Sequence, residues 1–238
     1  MLIPKVIHKI VINESGTLPK LPDGISSSFE SFYRLNPDYK VKLYSGEDCI
    51  KYIKDHYDDD ILKLYNKLKP FSYKCDLMRH LILYNEGGWY SDMRQVCLEP
   101  LDVLNDTKFE YYTSVDCPPN QNCMYTAFIG SIPKHPISKK MIDILKWNIE
   151  HEHYGWDCLY PTGPGAYMIA CIDFVRLYSN KCFVGQHTIE ENNEEYVRFN
   201  NKRIIKCKYN NARGADNSDM EGTNNYGKMW LNRDIYNI

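Results

Sequence analysis

The chain has 238 residues, a formal net charge of -2 and a pI near 6.4. This length fits a single α/β domain that buries most of the surface exposed by its unfolded form. The near-neutral charge gives no basic surface, so we expect no nucleic-acid partner. Nine cysteines without a Cys-x-x-Cys pair argue against a disulfide framework and against a zinc ribbon.

The first apolar run of the chain is interrupted by Lys5, His8 and Lys9. It is far shorter than the roughly 20 apolar residues of a membrane span, and it lacks the pattern of a cleavable signal peptide. We therefore expect no membrane span and a cytoplasmic location. The richness in Asn, Lys, Ile and Tyr is typical of AT-rich microbes and large DNA viruses; for a viral source the location would be the host cytoplasm.

The N-terminal part of the chain is predicted to alternate strands and helices. A helix that starts near Ser26, where serines can cap it, ends before Pro37. The acidic run 58–60 is interpreted as the capped, dipole-favoured start of another helix. The predicted strands in this part are 5–12 and 39–44, and the further predicted helices are 47–56 and 60–68.

The apolar residues between positions 71 and 84 recur at steps of three and four, which predicts a helix. The same spacing puts Asp76 and Arg79 one turn apart on one side of that helix. A carboxylate and a guanidinium would then share one patch. An ordinary ion pair on the helix surface is the alternative interpretation of these two residues.

A diglycine turn and a short strand follow this helix. Gly87-Gly88 permits positive φ, and residues 89–92 are predicted as a buried strand. Asp92 ends that strand, at the position where open α/β sheets hold ligand-binding groups; a turn-forming role is the alternative. Arg94 lies two residues further on, and in extended backbone it would point to the same face as Asp92.

The second half of the chain continues the alternation until it turns polar from Glu190 onward. Residues 213–225 look like a loop, and the C-terminal segment of about 208–230 is expected to be mobile enough to close over a ligand. The whole pattern predicts one α/β domain, residues 1–238, with a mixed central sheet flanked by helices. Further strands are predicted at 109–115 and 124–130, and further helices at 136–150 and 164–178.

Several landmark segments follow one another over nearly the whole chain. They are Ile3-Pro4-Lys5-Val6-Ile7-His8-Lys9-Ile10, Leu35-Asn36-Pro37-Asp38-Tyr39, the stretch 74–102, Thr162-Gly163-Pro164-Gly165 and Asn224-Asn225-Tyr226-Gly227-Lys228-Met229-Trp230. In this order they resemble the glycosyltransferase family with a DXD motif in its sugar-binding region. That family groups yeast mannosyltransferases, capsular polysaccharide enzymes and the catalytic domains of large clostridial glucosylating toxins. Singly most landmarks are weak, but the collinear set is specific.

The resemblance implies a GT-A-like, Rossmann-related fold and a retaining transfer of a hexose or N-acetylhexosamine. The donor would be a nucleoside diphosphate sugar, expected to be a UDP-sugar, and the acceptor a hydroxyl of a glycan or another molecule. There are two alternatives. One is a GDP-mannose-dependent mannosyltransferase, and the other is a catalytically impaired module that binds a nucleotide sugar or a glycan.

Three positions depart from the family pattern. The second Asp of the motif is Arg94, the C-terminal histidines are Asn224 and Asn225, and the tryptophan after the first strand is Val11. Arg94 would neutralise the diphosphate directly, since a guanidinium binds phosphate bidentately; pairing with Asp92 is the alternative. A Mn²⁺ or Mg²⁺ ion, held by Asp92 and Asn225, is therefore expected to be weakly bound or dispensable.

The candidate site combines the motif stretch with residues that the resemblance adds. Asp92 and Arg94 are the predicted catalytic residues. Asp116 can equally form a turn, and Trp230 can equally be tail packing. The predicted donor-binding residues are Ile10, Val11, Asp76, Arg79, Tyr90, Ser91, Asp92, Asp116 and Trp230.

Overall fold

The computed structural model of the protein describes residues 2–106, 108–118, 122–178, 180–210 and 222–237. They form a mixed sheet flanked by helices. The strands are β1 (Val6–Ile10), β2 (Lys40–Tyr44), β3 (Gly88–Ser91), β4 (Val96–Cys97), β5 (Tyr111–Val115), β6 (Met124–Ser131), β7 (Cys182–Ile189), β8 (Glu195–Phe199) and β9 (Lys202–Lys206). The α-helices are α1 (Asp23–Leu35), α2 (Gly46–His56), α3 (Asp59–Lys67), α4 (Phe71–Glu86), α5 (Pro136–Glu150), α6 (Pro164–Leu177) and α7 (Tyr226–Leu231). Short 3-10 helices lie at Leu101–Val103 and Glu191–Asn193.

The nine described strands belong to one sheet in the order β2-β1-β3-β6-β5-β7-β8-β9-β4. β1 is parallel to β2 and β3, β6 is antiparallel to both β3 and β5, and β5 is parallel to β7. The strands β1, β2, β3, β5 and β7 therefore run in one direction, and their carboxyl ends lie along the same edge of the sheet. In open α/β sheets this edge is where ligands bind.

Consecutive residues of the strands enter different hydrophobic clusters, because side chains alternate across a sheet. Trp89 and Tyr112 pack in the cluster that contains Phe32 of α1. Tyr90 and Tyr111 pack in the larger cluster that contains residues of α2 to α6. Helices thus cover both faces of the sheet, as the predicted alternation of elements requires.

The diglycine turn joins α4 to β3 through a backbone that other residues would strain. Gly87 and Gly88 have φ angles of 67° and 95°. A Cβ at Gly87 would lie 2.7 Å from the Pro133 backbone nitrogen, and a Cβ at Gly88 would lie 2.7 Å from the Val6 carbonyl oxygen. The two glycines therefore let β3 lie directly beside β1, which brings Asp92 to the carboxyl edge of the sheet.

Most predicted elements agree with the structure to within a few residues at each end. The start of α1 differs: the helix begins at Asp23 after Pro22, without a side-chain cap, rather than near Ser26. Asp58 caps α3 as predicted, since its side chain accepts a hydrogen bond from the Ile61 N–H at 3.1 Å.

The sequence pattern does not predict β7, β8 and β9, because their many polar residues hide the alternation. From Glu190 onward the chain is polar, yet Val197, Phe199 and Ile205 are buried in the cluster on the α1 face. These apolar residues are too few to be recognised without their neighbours in the sheet. Sequence analysis therefore assigns no element to residues 182–206, where the structure has these three strands.

The segment of about 208–230, expected to be mobile, is described only in part. Residues 211–221 of this segment lie outside the described residues. Beyond them, the Asn224 side chain accepts a hydrogen bond from the Phe71 N–H at 3.0 Å and donates one to the Lys69 carbonyl at 3.1 Å. The described C-terminal part is thus anchored at the start of α4, and closure of the segment over a ligand stays a prediction.

Within the described ranges, the helices are too short or too polar to cross a membrane. The longest of them, α4, has 16 residues. It carries Lys74, Asp76, Arg79 and Glu86, and four charged residues are incompatible with a lipid-facing span.

Candidate active site

A cavity of about 510 Å³ opens at the carboxyl edge of the sheet. Small-molecule sites have volumes of about 300–1,000 Å³. Residues at or just beyond the ends of β1, β3, β5 and β7 line the cavity, together with residues of α4 and of the segment before α6. The predicted site residues in this lining are Ile10, Val11, Asp76, Arg79, Tyr90, Asp92, Arg94 and Asp116.

Asp76 and Arg79 form a buried ion pair in this lining. Arg79 Nη2 lies 3.0 Å from Asp76 Oδ1, and the side chains are 5% and 11% exposed. The alternative of a surface ion pair is therefore wrong. The second Asp76 oxygen accepts a hydrogen bond from the Thr162 hydroxyl at 2.7 Å. Sequence analysis does not single out Thr162 as a site residue, although it opens the Thr-Gly-Pro-Gly landmark.

The Arg79 guanidinium also joins α4 to the neighbouring strands. Its Nη1 donates to the Thr126 carbonyl at 2.7 Å, and its Nη2 lies 3.5 Å from Asp92 Oδ1. The guanidinium lies over the Tyr90 ring, 4.5 Å from the ring centroid. Burial lowers the pKa of Arg79, but Tyr90, Asp76 and Asp92 raise it and prevail. One permanently charged side chain thus holds both Asp76 and Asp92.

Asp92 presents its carboxylate to the cavity. Its side chain is 42% exposed, and its Oδ1 accepts a hydrogen bond from the Tyr90 hydroxyl at 2.6 Å. The backbone after it forms a turn, in which the Gln95 N–H donates to the Asp92 carbonyl at 3.2 Å. The extended backbone predicted between Asp92 and Arg94 is therefore wrong. Both residues nevertheless line the cavity.

A buried lysine supports this turn from inside the protein. Lys9 is fully buried, and its Nζ donates to the Ser91 hydroxyl and to the Asp92 carbonyl, both at 3.0 Å. Burial lowers the pKa of Lys9 to about 7, although Asp92 raises it. Ser91 is buried too and donates its hydroxyl to Gln95 Oε1 at 2.8 Å. Ser91 lies outside the cavity lining, which does not support its predicted contact with a donor; the structure gives it a positioning role instead.

Asp116 lies just beyond the end of β5, in the lining of the cavity. Its Oδ1 accepts hydrogen bonds from the Cys117 N–H at 2.8 Å and from His187 Nδ1 at 2.7 Å. The first of these is the local bond of a turn, and the second is a contact with β7. Sequence analysis does not single out His187, because it is an isolated histidine in a strand that the pattern does not predict.

Besides Ser91, two further predicted residues lie outside the cavity lining. Trp230 donates its indole N–H to the Tyr154 carbonyl at 2.8 Å and packs against the larger hydrophobic cluster, so tail packing is the better description of it. Asn225 caps α7, because its side-chain oxygen accepts a hydrogen bond from the Lys228 N–H at 3.0 Å. The predicted contacts of Trp230 with a donor and of Asn225 with a metal therefore find no support in their placement.

The predicted divalent-metal set does not fit these positions. Of Asp92 and Asn225, only Asp92 reaches the cavity. The Asp92 carboxylate contacts the Arg79 guanidinium and the Tyr90 hydroxyl. Mn²⁺ and Mg²⁺ require several oxygen ligands at once, and one carboxylate shared with a guanidinium does not provide them. Among the described residues, we therefore assign no metal to this pair.

Asp76 should make the site sensitive to mild acid. Burial raises its pKa to about 6, although Arg79 and the Thr162 hydroxyl lower it. Below this pH the Asp76 carboxylate takes up a proton and loses its negative charge, so its ion pair with Arg79 is lost. We therefore expect kcat/KM for the reaction at this site to fall about tenfold per pH unit on the acid side.

In the same pH window, the free energy of unfolding should rise as the pH falls, whereas kcat/KM should fall. Because the folded pKa of Asp76 is above its ordinary value, its stabilising contribution is present at low pH and is lost as the pH rises through about 6. Rate profiles and urea unfolding at matched pH values test both statements. The Asp76→Asn variant should have a low kcat/KM that does not change with pH across this window. A native rate profile without a break near pH 6 would contradict the role of Asp76.

Residues 22–110 match the family described as a glycosyltransferase sugar-binding region containing a DXD motif. The uncharacterized glycosyltransferase L373 of Acanthamoeba polyphaga mimivirus is 27% identical over 136 residues, which cover 57% of this chain and 53% of that protein. The mannosyl phosphorylinositol ceramide synthase SUR1 of Saccharomyces cerevisiae is 29% identical over 165 residues, which cover 69% of this chain and 39% of that protein. The chain thus spans about half, or less, of the length of these curated relatives.

Two solved structures share the fold. The PaToxG glycosyltransferase has a TM-score of 0.54 at 20% identity, over 75% of this chain and 70% of that chain. The UDP-bound glycosyltransferase domain of the YGT toxin has a TM-score of 0.52 at 9% identity, over 77% of this chain and 79% of that chain. These likenesses confirm the predicted GT-A-like, mixed α/β architecture. Asp76, Arg79 and Asp92 all lie inside the range 22–110 that matches the family of glycosyltransferase sugar-binding regions containing a DXD motif.

Proposed function

We propose that the protein is a hexosyltransferase that takes its sugar from a nucleoside diphosphate donor and transfers it to a hydroxyl acceptor. The observation that carries this proposal is the convergence of Asp76, Arg79 and Asp92 on one cavity at the carboxyl edge of the sheet. Charge separates between the sugar and the leaving diphosphate as the glycosidic bond breaks, and fixed charges in a cavity stabilise such a state. The match of residues 22–110 to the glycosyltransferase family supports the same reaction class.

Each charged side chain has a role in this reaction. Asp76, fixed by Arg79 and Thr162, accepts hydrogen bonds from hydroxyls of the donor sugar. Asp92 accepts hydrogen bonds from ribose or sugar hydroxyls with the oxygen atoms that face the cavity. Arg94 neutralises the leaving diphosphate, since its planar guanidinium stays charged and binds phosphate bidentately. A protein-held Mn²⁺ or Mg²⁺ is then dispensable.

Retention of the anomeric configuration is part of this proposal, and its support is the family resemblance. No protein nucleophile is required, because the departing phosphate can take the proton of the acceptor hydroxyl while the site holds an oxocarbenium-like state. Nuclear magnetic resonance of the first product formed tests this directly. An inverted anomeric centre in that product would overturn it.

Two donor classes are compatible with the site, and we propose GDP-mannose first. Sequence relatives such as inositol phosphoceramide mannosyltransferase 2 of Schizosaccharomyces pombe, 28% identical over 62% of this chain, are named for mannose transfer. The YGT toxin domain, whose structure is described as UDP-bound, is only 9% identical. A UDP-hexose or UDP-N-acetylhexosamine is the second candidate donor.

Thermal unfolding with GDP, UDP and their common sugar conjugates tests the donor class. A ligand that binds only the folded protein stabilises it by RT ln(1 + [L]/Kd), about 2.7 kcal/mol at a hundredfold excess over Kd. We expect GDP-mannose to raise the melting temperature equally with Mn²⁺ and with chelator. Stabilisation that is lost in chelator would contradict the proposed role of Arg94.

Chromatographic detection of free nucleoside diphosphate completes this experiment. Slow release from one stabilising donor supports an enzyme, since water replaces the missing acceptor. Tight binding without release would overturn the proposal in favour of the impaired binding module. Absence of stabilisation by every nucleotide would overturn nucleotide-sugar binding itself.

A further inference from the structure

The sheet brings three potential metal ligands together on one wall of the cavity. Val115 of β5 is paired with Gln186 of β7, so the next residues along the two parallel strands, Asp116 and His187, meet at the carboxyl edge. Cys117 follows Asp116 directly. This meeting depends on the pairing of β5 with β7 and has no local sequence pattern.

The ligand atoms of these residues lie close to one another. The Cys117 thiol, an Asp116 carboxylate oxygen and a His187 ring nitrogen are all within 4.8 Å of each other. The three residues are only 7–8% exposed, and all of them line the cavity. A bound ion would therefore be shielded from bulk water on the protein side and reached from the cavity.

The two ring nitrogens of His187 have different surroundings. Nδ1 lies 2.7 Å from Asp116 Oδ1, and Nε2 is buried. The Glu195 carboxylate lies 3.4 Å from this nitrogen. In metal sites the non-ligating ring nitrogen of a histidine is commonly oriented by such an outer carboxylate. A small shift of Glu195 would complete that arrangement when Nδ1 binds a metal.

The donor set selects the kind of metal. One thiolate, one imidazole and one carboxylate form a mixed sulfur, nitrogen and oxygen set, which suits Zn²⁺ and not Mg²⁺ or Ca²⁺. Zinc bonds of about 2.0–2.3 Å place tetrahedral ligand atoms within about 4 Å of one another. The observed limit of 4.8 Å needs only a modest contraction to reach that geometry.

We propose that Asp116, Cys117 and His187 form a zinc-binding site in the wall of the cavity. Binding replaces the hydrogen bond between His187 Nδ1 and Asp116 with two metal bonds, and the thiol proton and any Nδ1 proton leave to solvent. Three protein ligands leave the fourth coordination position of a tetrahedral ion open, as in catalytic zinc sites. A water molecule or a hydroxyl group that enters the cavity would take that position.

Cobalt substitution tests the site without relying on activity. The purified 238-residue chain is stripped of metal with chelator and titrated with Co²⁺, which gives a near-ultraviolet charge-transfer band when a thiolate binds it. We expect one equivalent of Co²⁺ to give this band and Zn²⁺ to displace it. X-ray absorption of the zinc-loaded protein should show one sulfur neighbour at about 2.3 Å.

Matched variants test whether the cobalt signal comes from Cys117, rather than from another thiol or from the motif that contains Asp92. Cys117→Ser should abolish the charge-transfer band and weaken zinc binding at least about tenfold. Cys123→Ser removes a neighbouring thiol outside the cavity lining, and Asp92→Asn alters the motif; both should keep the band. Circular dichroism verifies that each variant is folded.

The outcomes that overturn the site are distinct from those that overturn the proposed function. A native chain without the cobalt band, or without a sulfur neighbour in the X-ray absorption spectrum, refutes the zinc site even if Cys117→Ser fails to fold. Thermal stabilisation by nucleotides is measured on the same metal-free samples. Zinc binding without nucleotide binding would leave this inference intact and would refute only the glycosyltransferase proposal.

Discussion

Asp92→Asn is expected to lower kcat by a factor of about 10² to 10³, the cost of removing one preorganised electrostatic partner of a transition state. The variant keeps the size of the side chain and an oxygen that can accept the hydrogen bond of the Tyr90 hydroxyl. It loses the negative charge that faces the cavity beside Arg79. We therefore expect the free energy of unfolding to change by no more than about 0.5 kcal/mol. Steady-state kinetics and urea unfolding measure the two quantities.

Asp143→Asn is the matched control for this change. Asp143 is an exposed carboxylate on α5, paired with Lys139 one turn away, and its substitution should leave kcat and KM unchanged. Turnover of Asp92→Asn within a few-fold of the native rate would contradict the catalytic assignment. A rise in KM with unchanged kcat would show that Asp92 binds the ground state and the transition state equally.

Arg79→Met should be the most destabilising substitution at the site. It leaves Asp76 as a buried carboxylate with the Thr162 hydroxyl but without its cation, and it leaves the Thr126 carbonyl without its donor. Breaking a buried ion pair by removing one partner costs about 3–5 kcal/mol. Equilibrium urea unfolding at neutral pH measures this loss.

A double-mutant cycle shows whether the loss arises from the ion pair. Asp76→Asn combined with Arg79→Met removes the buried, unpaired carboxylate. The double variant should therefore lose less stability than the sum of the losses of the two single variants. Lys139→Met breaks an exposed pair on α5 and should cost about 0.3–0.5 kcal/mol. A loss below about 1 kcal/mol for Arg79→Met would contradict a buried pair.

Local patterns predict the elements that hold the motif and fail for the strands beyond it. The helix α4 and the turn into β3 have clear periodicity and a diglycine, so their order and the position of Asp92 can be predicted. The strands β7 to β9 carry mixed polar residues, and their burial depends on pairing with distant strands. The family resemblance predicts that Trp230 and Asn225 contact the donor or its metal. In the structure, Trp230 instead packs beside Tyr154, and Asn225 caps α7.

The parts of the site that depend on spacing along one element can be predicted from the local sequence. Asp76 and Arg79 share a patch because they are one helical turn apart, and Asp92 reaches the carboxyl edge because Gly87 and Gly88 allow the turn before its strand. Such relations are fixed by backbone geometry over a few residues.

The groups that surround these residues depend on the three-dimensional fold. Thr162 reaches Asp76 across 86 positions of the chain, Lys9 reaches Ser91 across 82, and His187 reaches Asp116 across 71. The register of the sheet and the packing of α4 set these contacts, and neither leaves a pattern in the local sequence. The burial that raises the pKa of Asp76 arises in the same way, because it comes from the whole fold and not from the neighbours along the chain.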